Sequence, residues 1–212
     1  MANLQWALSR LSYGMVNYRH PIRAEVLKAV RKSYQQTYTA TTPMECAELY
    51  QAASSCEKVS GDMAEAGVFL GGTARLILSG SKKHLHLFDT FEGLPHDEGN
   101  FASGEWKGSL PDVKRNLAEY ADRLTFHPGL FPASTAGLDD LRFSFVHLDL
   151  DLYTSTFAAL EWFWPRLEKG GILLSHDYPL SEGVVRAFHE FFDERPEPII
   201  RLSGNQCLVV KG

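Results

Sequence analysis

The chain has 212 residues, 44% hydrophobic and 22% charged, with a net charge of −5 and a pI near 5.9. That is the composition of a soluble globular protein, and it excludes the basic footprint of a nucleic-acid binder. No apolar run approaches the roughly 20 residues that cross a bilayer, so no membrane partner is expected. The opening MANLQWALSR has no charged region followed by an apolar core, which argues against a secretory signal. Cys46, Cys56 and Cys207 lack metal-ligand spacing and read as small buried hydrophobes in a reducing compartment, hence a cytoplasmic protein.

Residues 1–40 are expected to form a helical arm or lid ahead of a main domain spanning 41–212. Within the arm, Ile22 to Tyr34 carries a helical pattern after Pro21, with Val26, Leu27 and Val30 inward. Tyr13, Tyr18, Tyr34 and Tyr38 either line a substrate or cover the core edge, and the core edge is preferred. Thr42-Pro43-Met44-Glu45 is a helix start, with threonine as cap and Glu45 completing a capping box. Cys46, Leu49, Tyr50, Ala53 and Cys56 follow on one face, and the helix ends before Ser60-Gly61.

Asp62 to Val68 reads as the first strand, and the glycine-rich turn from Gly67 to Gly72 leads into a helix over Thr73 to Ser79. A helix N-terminus behind such a turn favours anions, although GxGxxG itself is missing. His84 to Phe88 is the second strand and ends in Asp89, 18 residues after Gly71. An acid at that point accepts hydrogen bonds from ribose hydroxyls, so the two features together predict a nucleoside-bearing cofactor. Thr90 to Ser109 is a long polar loop, a candidate lid. Pro111 to Tyr120 predicts a helix with Val113, Leu117 and Tyr120 inward, and Arg123 to His127 a third strand. His127, at that strand's carboxyl end, is expected at the edge of the core rather than on a ligand.

The stretch Phe143 to Tyr178 organises the rest. Phe143, Phe145, Val146 and Leu148 form a strand buried on both faces, followed by Asp149 and Asp151. Thr154 or Ser155 can cap the next helix, with Leu160, Trp164 and Leu167 along one face, Pro165 kinking it or tightening its last turn and Gly170-Gly171 ending it. Ile172 to Leu174 is the next strand, ending in His176-Asp177. A β-α-β unit puts both acidic turns on the carboxyl edge of a parallel sheet, where open α/β sheets bind ligands. Asp149, Asp151, His176 and Asp177 then converge as oxygen-rich ligands for Mg²⁺ or Ca²⁺, with a histidine that tilts the set toward a transition metal. The competing reading is that the acids only cap helices. Ser181 or Glu182 opens a helix with Val184, Phe188, Phe191 and Phe192 on one face. Ile199 to Leu202 and Gln206 to Val210 close the chain as a hairpin, one strand of it antiparallel to the rest.

Five segments in this order, EAGVFLGG, LFDTFEGLP, FHPGLFP, VHLDLDLYTST and GGILLSHDY, resemble the macrocin O-methyltransferase family over roughly residues 45–195. These are metal-dependent sugar O-methyltransferases of macrolide and aminocoumarin pathways. The resemblance implies an α/β, class I methyltransferase (Rossmann-like) fold: a seven-stranded, mostly parallel sheet with helices on both faces and a C-terminal antiparallel hairpin. It implies S-adenosylmethionine as methyl donor, Mg²⁺ or another divalent metal, a small hydroxylated acceptor that is sugar-like, and a tendency to self-associate. By position, Glu65, Gly67 and Gly71 match the donor-binding loop. Asp89 matches the ribose-binding acid, with Thr90 and Phe91 beside it. Asp149 matches a metal ligand and base, and His176-Asp177 a metal-binding pair that is usually Asp-Asp. The histidine lowers the site's negative charge by one. Asp151 reads as a helix-capping group or an outer partner of the ligands.

The chemistry is coherent on its own terms. A sugar hydroxyl is scarcely ionised near neutral pH, so a divalent metal that lowers its pKa and a carboxylate that takes its proton answer the same need. Three alternatives share parts of the pattern: a catechol-type O-methyltransferase, a nicotinamide-dependent oxidoreductase, and a non-catalytic relative that binds the donor.

Overall fold

A computed structural model of the chain describes residues 21–212. Tyr13 and Tyr18 lie outside the described residues. The elements in order are α1 (Pro21–Gln36), α2 (Pro43–Ser55), β1 (Asp62–Ala66), α3 (Gly72–Gly80), β2 (Leu85–Asp89), α4 (Leu110–Asn116), β3 (Leu124–Pro128), β4 (Phe143–Leu148), α5 (Tyr153–Phe163), β5 (Leu167–Ser175), α6 (Glu182–Phe192), β6 (Ile200–Arg201) and β7 (Cys207–Val210). They build one seven-stranded sheet in the order β3-β2-β1-β4-β5-β7-β6. The first five strands run parallel, and β7 is antiparallel to both of its neighbours. This is the class I methyltransferase arrangement, with β7 as the reversed strand of the expected hairpin. The order reverses between β1 and β4, which opens the ligand crevice at their carboxyl ends.

Every residue of β4 is buried, as its apolar run requires. One face of the sheet packs α5 and α6 through Phe163, Phe188 and Phe192; truncating such a ring costs about 3–5 kcal/mol. The other face packs α1, α2 and α3 through Val30, Leu49, Leu76 and Ile77. Thr42 caps α2 in a full capping box with Glu45, and Ser181 caps α6.

Several local expectations are corrected. Leu27 is 42% exposed, because Val26 and Val30 already define the inward stripe of α1. β1 stops at Ala66, since Gly67 turns the chain with φ +86°. Gly170-Gly171 does not end a helix. The pair lies inside β5, at a register irregularity against β4, and a Cβ on Gly171 would meet the Ser144 carbonyl at 2.9 Å. A glycine pair marks a close backbone approach in a strand as well as a helix stop. Neither Thr154 nor Ser155 caps α5: its cap position is Leu152, which offers no side-chain acceptor. The acceptor is Glu98 from the long loop, whose Oε1 takes the Tyr153 N–H at 2.6 Å. Pro165 does tighten the end of α5 into a 3₁₀ turn.

Candidate active site

The carboxyl edge of the sheet carries a cavity of about 290 Å³ bounded by the β1–α3 turn, the two acidic turns, the long loop and residues 38–42. Its first wall is the glycine turn. A Cβ on Gly67 would stand 1.8 Å from the Asp149 carbonyl oxygen, and Asp149 N donates to Ala66 O at 2.9 Å. Only glycine lets the ends of β1 and β4 close here. Gly71 is the left-handed cap of α3, and a Cβ on Gly72 would fall 2.0 Å from Thr39 Oγ1. Asp89 ties this turn down: its Oδ2 accepts from Val68 N at 2.6 Å and Phe69 N at 3.1 Å, its Oδ1 from Phe91 N at 2.7 Å. The Thr90 hydroxyl also reaches Oδ1, at 3.4 Å, so the carboxylate is engaged by four donors of its own chain. Thr90 also borders the cavity. Phe91 is buried in the core with φ +57°.

Glu65 lies elsewhere. It is fully buried in β1, 2.8 Å from His147 Nδ1 on β4, and stands outside the cavity lining. Burial pushes its carboxyl up, and His147 offsets part of that. Its Oε2 and His147 Nε2 have no hydrogen-bond partner among the described residues. His127 is likewise off the cavity: it stacks on Phe88 at 4.4 Å and meets His86 Nδ1 at 2.9 Å. That agrees with the core-edge expectation.

The second wall brings the two acidic turns together, as the β-α-β geometry predicted. His176 Nδ1 stands 3.3 Å from Asp149 Oδ1 and 3.2 Å from Asp177 Oδ1. Ser181 staples the turns to one another. Its Oγ donates to Asp151 O at 2.8 Å and its N–H to Asp177 O at 2.8 Å. Asp151 and Asp177 both take left-handed φ, +61° and +58°, a strained conformation that aspartate tolerates better than most residues. A third carboxylate arrives from outside the sequence expectation: Glu45, 1% exposed, places Oε2 3.7 Å from His176 Nε2.

Electrostatics follow from this crowding. Burial works against a charged His176, but the Asp149 charge and the contacts to Asp149, Asp177 and Glu45 override it and raise its pKa well above the usual range. Burial resists ionisation of Asp149 too, and the His176 charge still holds it below its usual value. For Asp151, burial and the neighbouring Asp149 charge act in one direction and push the carboxyl up to about 10. Three acids, Asp149, Asp177 and Glu45, thus face a single imidazole.

The donor set fits a divalent metal. One ligand atom each from Asp149, His176 and Asp177 lies within 4.8 Å of the others. Ligands on one metal with bonds of ~2.1 Å lie ~3.0 Å apart at right angles and ~3.4 Å apart in a tetrahedron. The two His176 Nδ1 contacts, 3.3 and 3.2 Å, fall in that range, and the Asp149–Asp177 pair is held to within 4.8 Å.

Glu45 escaped the sequence reading because its capping box explained it fully, with nothing left over. Tyr38 was placed with the core edge, yet it is 52% exposed, borders the cavity and meets Phe69 edge-on at 6.0 Å. Phe69 in turn meets Trp106 of the long loop at 5.5 Å.

With this geometry in view, the comparisons with known proteins converge. Residues 33–206 match the macrocin-O-methyltransferase (TylF) family. The chain belongs to that family. It is 30% identical over 153 residues to the 8-demethyl-8-(2,3-dimethoxy-alpha-L-rhamnosyl)-tetracenomycin-C 4'-O-methyltransferase of Streptomyces olivaceus, a match covering 63% of this chain and 58% of that protein. It is 28% identical over 166 residues to the demethyldecarbamoylnovobiocin O-methyltransferase of Streptomyces niveus, covering 66% and 63%. The matched part thus spans about three fifths of these relatives. The solved O-methyltransferase NovP superposes with a TM-score of 0.74 at 19% identity, covering 90% of this chain and 97% of that one, and shows the shared fold. All three cysteines are free and buried, and no described helix is long and apolar enough to cross a membrane.

Proposed function

We propose that this macrocin-family chain is an S-adenosylmethionine-dependent O-methyltransferase, assisted by a divalent metal, acting on a hydroxyl of a small sugar-like or natural-product acceptor. One observation carries it: a single cavity joins the glycine turn and Asp89 to the Asp149–His176–Asp177 cluster. The names of the two relatives, a rhamnosyl 4'-O-methyltransferase and a novobiocin-pathway O-methyltransferase, support the acceptor class.

When bound, the donor supplies an activated methyl group and the metal lowers the acceptor hydroxyl's pKa. The chain's own residues do the rest. Asp89 and the glycine turn hold the donor's nucleoside end, and the α3 N-terminus is the anion-favouring end of the same turn. Asp149, at the mouth of the crevice, takes the acceptor's proton on its carboxylate. Asp177 and His176 complete the protein's share of the metal site, and the loop carrying Trp106 borders the cavity. The chain is proposed to be intracellular and to self-associate, as the family resemblance implies. A second acceptor class, an aromatic vicinal diol, is favoured by the Tyr38–Phe69–Trp106 array at the cavity.

Thermal unfolding with S-adenosylhomocysteine, in Mg²⁺ and then EDTA, tests the donor and the metal together. Ligand at about 100 times its Kd stabilises by roughly 2.7 kcal/mol, a shift of about 5–10 °C for a chain of this size. No shift with this ligand, but one with NADH, would overturn the methyltransferase reading. Asp149→Asn is expected to abolish methyl transfer to sugar or catechol acceptors while leaving the S-adenosylhomocysteine shift in EDTA nearly intact.

A further inference from the structure

His176 has two ring nitrogens, and they face different neighbours. Nδ1 points at the Asp149 and Asp177 carboxylates, at 3.3 and 3.2 Å. Among the described residues Nε2 is buried without a hydrogen bond, and Glu45 faces it with Oε2 3.7 Å away. Glu45 is held in place from three sides. Its Oε1 accepts from Asn205 N at 2.7 Å, in the β6–β7 turn. Its Oε2 accepts from Thr42 N at 2.8 Å and Thr42 Oγ1 at 2.7 Å. A shift of about 0.8 Å closes the gap to a normal N–H···O bond of roughly 2.9 Å. A metal-bound histidine almost always donates its other ring N–H to a carboxylate or carbonyl, which fixes the tautomer and makes the bound nitrogen more basic. Glu45 is in the position of that outer carboxylate.

We infer that Glu45 is the positioning residue of a Glu45–His176 relay that presents Nδ1 as a metal ligand and makes the centre selective for a transition-series divalent cation, of the Mn²⁺, Co²⁺ or Zn²⁺ class, over Mg²⁺. This rests on the divalent centre proposed above. A nitrogen ligand suits these cations and is poorly matched to Mg²⁺, which prefers oxygen. The relay also accounts for a carboxylate that is almost wholly buried yet reaches past its own capping box toward the imidazole.

The test is direct titration of the metal-stripped protein with CoCl₂ and with MgCl₂, read by calorimetry and by the cobalt d–d absorption. Wild type, Glu45→Gln, His176→Asp and His176→Ala are compared, with S-adenosylhomocysteine binding as the check that each variant is folded. The expectation is that Glu45→Gln weakens Co²⁺ about 10–100-fold, with a smaller effect on Mg²⁺. His176→Asp is expected to lower the Co²⁺/Mg²⁺ affinity ratio at least about tenfold and to change the cobalt spectrum. Co²⁺ affinity unchanged in Glu45→Gln and in His176→Ala overturns this inference and leaves the methyltransferase reading standing. Binding of neither cation by folded wild type overturns the relay and the metal part of the proposed function together. Should Glu45→Gln fail to fold, the two His176 variants decide the ligand, and Glu45→Asp, which draws the carboxylate back by one methylene, decides the relay by the same Co²⁺ titration.

Discussion

Replacing Glu98 by alanine tests how the long loop is fastened over the cavity. Helix α5 begins beneath that loop with no acceptor of its own, and Glu98 Oε1 fills the role from 55 residues away, 2.6 Å from Tyr153 N. Losing a capping acceptor costs about 1 kcal/mol, in a range of roughly 0.5–2. Losing a negative charge at a helix N-terminus adds about 0.3–1 kcal/mol. The sum, about 1–2 kcal/mol, lowers Tm by roughly 3–6 °C. Glu98→Gln keeps an acceptor oxygen and loses the charge, so it is expected to recover more than half of that. The same contact can be broken from the other side. A Cβ on Gly183 would stand 2.5 Å from Glu98 Oε1 and 2.9 Å from Tyr153 N. Glycine to alanine inside a helix ordinarily stabilises by about 0.5–1 kcal/mol, so a fall in Tm for Gly183→Ala would be a reversal of sign caused by crowding both Glu98 Oε1 and the Tyr153 backbone, the two sides of this contact. Hydrogen exchange supplies the second readout, with faster exchange across residues 93–106 and unchanged exchange in β1 and β4. A Glu98→Ala protein within about 1 °C of wild type with unaltered exchange in the loop would refute the latch, as would a stabilised Gly183→Ala.

Gly67→Ala is expected to cost about 3–5 kcal/mol and to abolish S-adenosylhomocysteine binding by calorimetry, because a left-handed alanine must also push the Asp149 carbonyl aside; wild-type affinity would mean the turn is not a donor wall. Asp89→Ala removes the acceptor of Val68, Phe69 and Phe91 amides, so donor-product affinity is expected to fall at least about tenfold. Asp151→Asn, with divalent cations chelated, is expected to leave Tm at pH 7 unchanged or raised, since burial and Asp149 push its carboxyl up to about 10 and asparagine accepts the left-handed backbone; a marked fall would show an ionised Asp151. His127 is held at about 4 by burial and by the neighbouring His86 and His84, below its ordinary 6.5. A depressed histidine pKa gives stability that is present above 6.5 and is lost as pH falls from there toward 4. His86 shifts the same way, although Asp62 at 3.2 Å opposes it. Urea midpoints at pH 7.5 and 5 are expected to fall with acidification in wild type and to fall less in His127→Gln.

What was legible in the sequence was whatever a single segment or a single β-α-β unit determines. The buried run of β4 and the spacing to His176 were enough to expect Asp149, His176 and Asp177 on one sheet edge, because neighbouring parallel strands end on the same side, although helix capping by the acids was a competing reading. Three of the departures share one physical origin: a local signal with two solutions, decided by a distant partner. Gly170-Gly171 reads as a helix stop or as a close approach within a strand, and the Ser144 carbonyl of β4 decides for the strand. Thr154 and Ser155 carry a capping signal, but the helix starts before them because Glu98 supplies the acceptor. Glu45 is the strongest case. Its capping box satisfies every local rule, and its second role depends on the β6–β7 turn bringing Asn205 N, 160 residues away, against the same carboxylate. A residue whose local role is complete leaves no anomaly to find. Such residues surface only when the fold shows an acid nearly devoid of exposure beside a histidine whose outer nitrogen has no partner among the described residues.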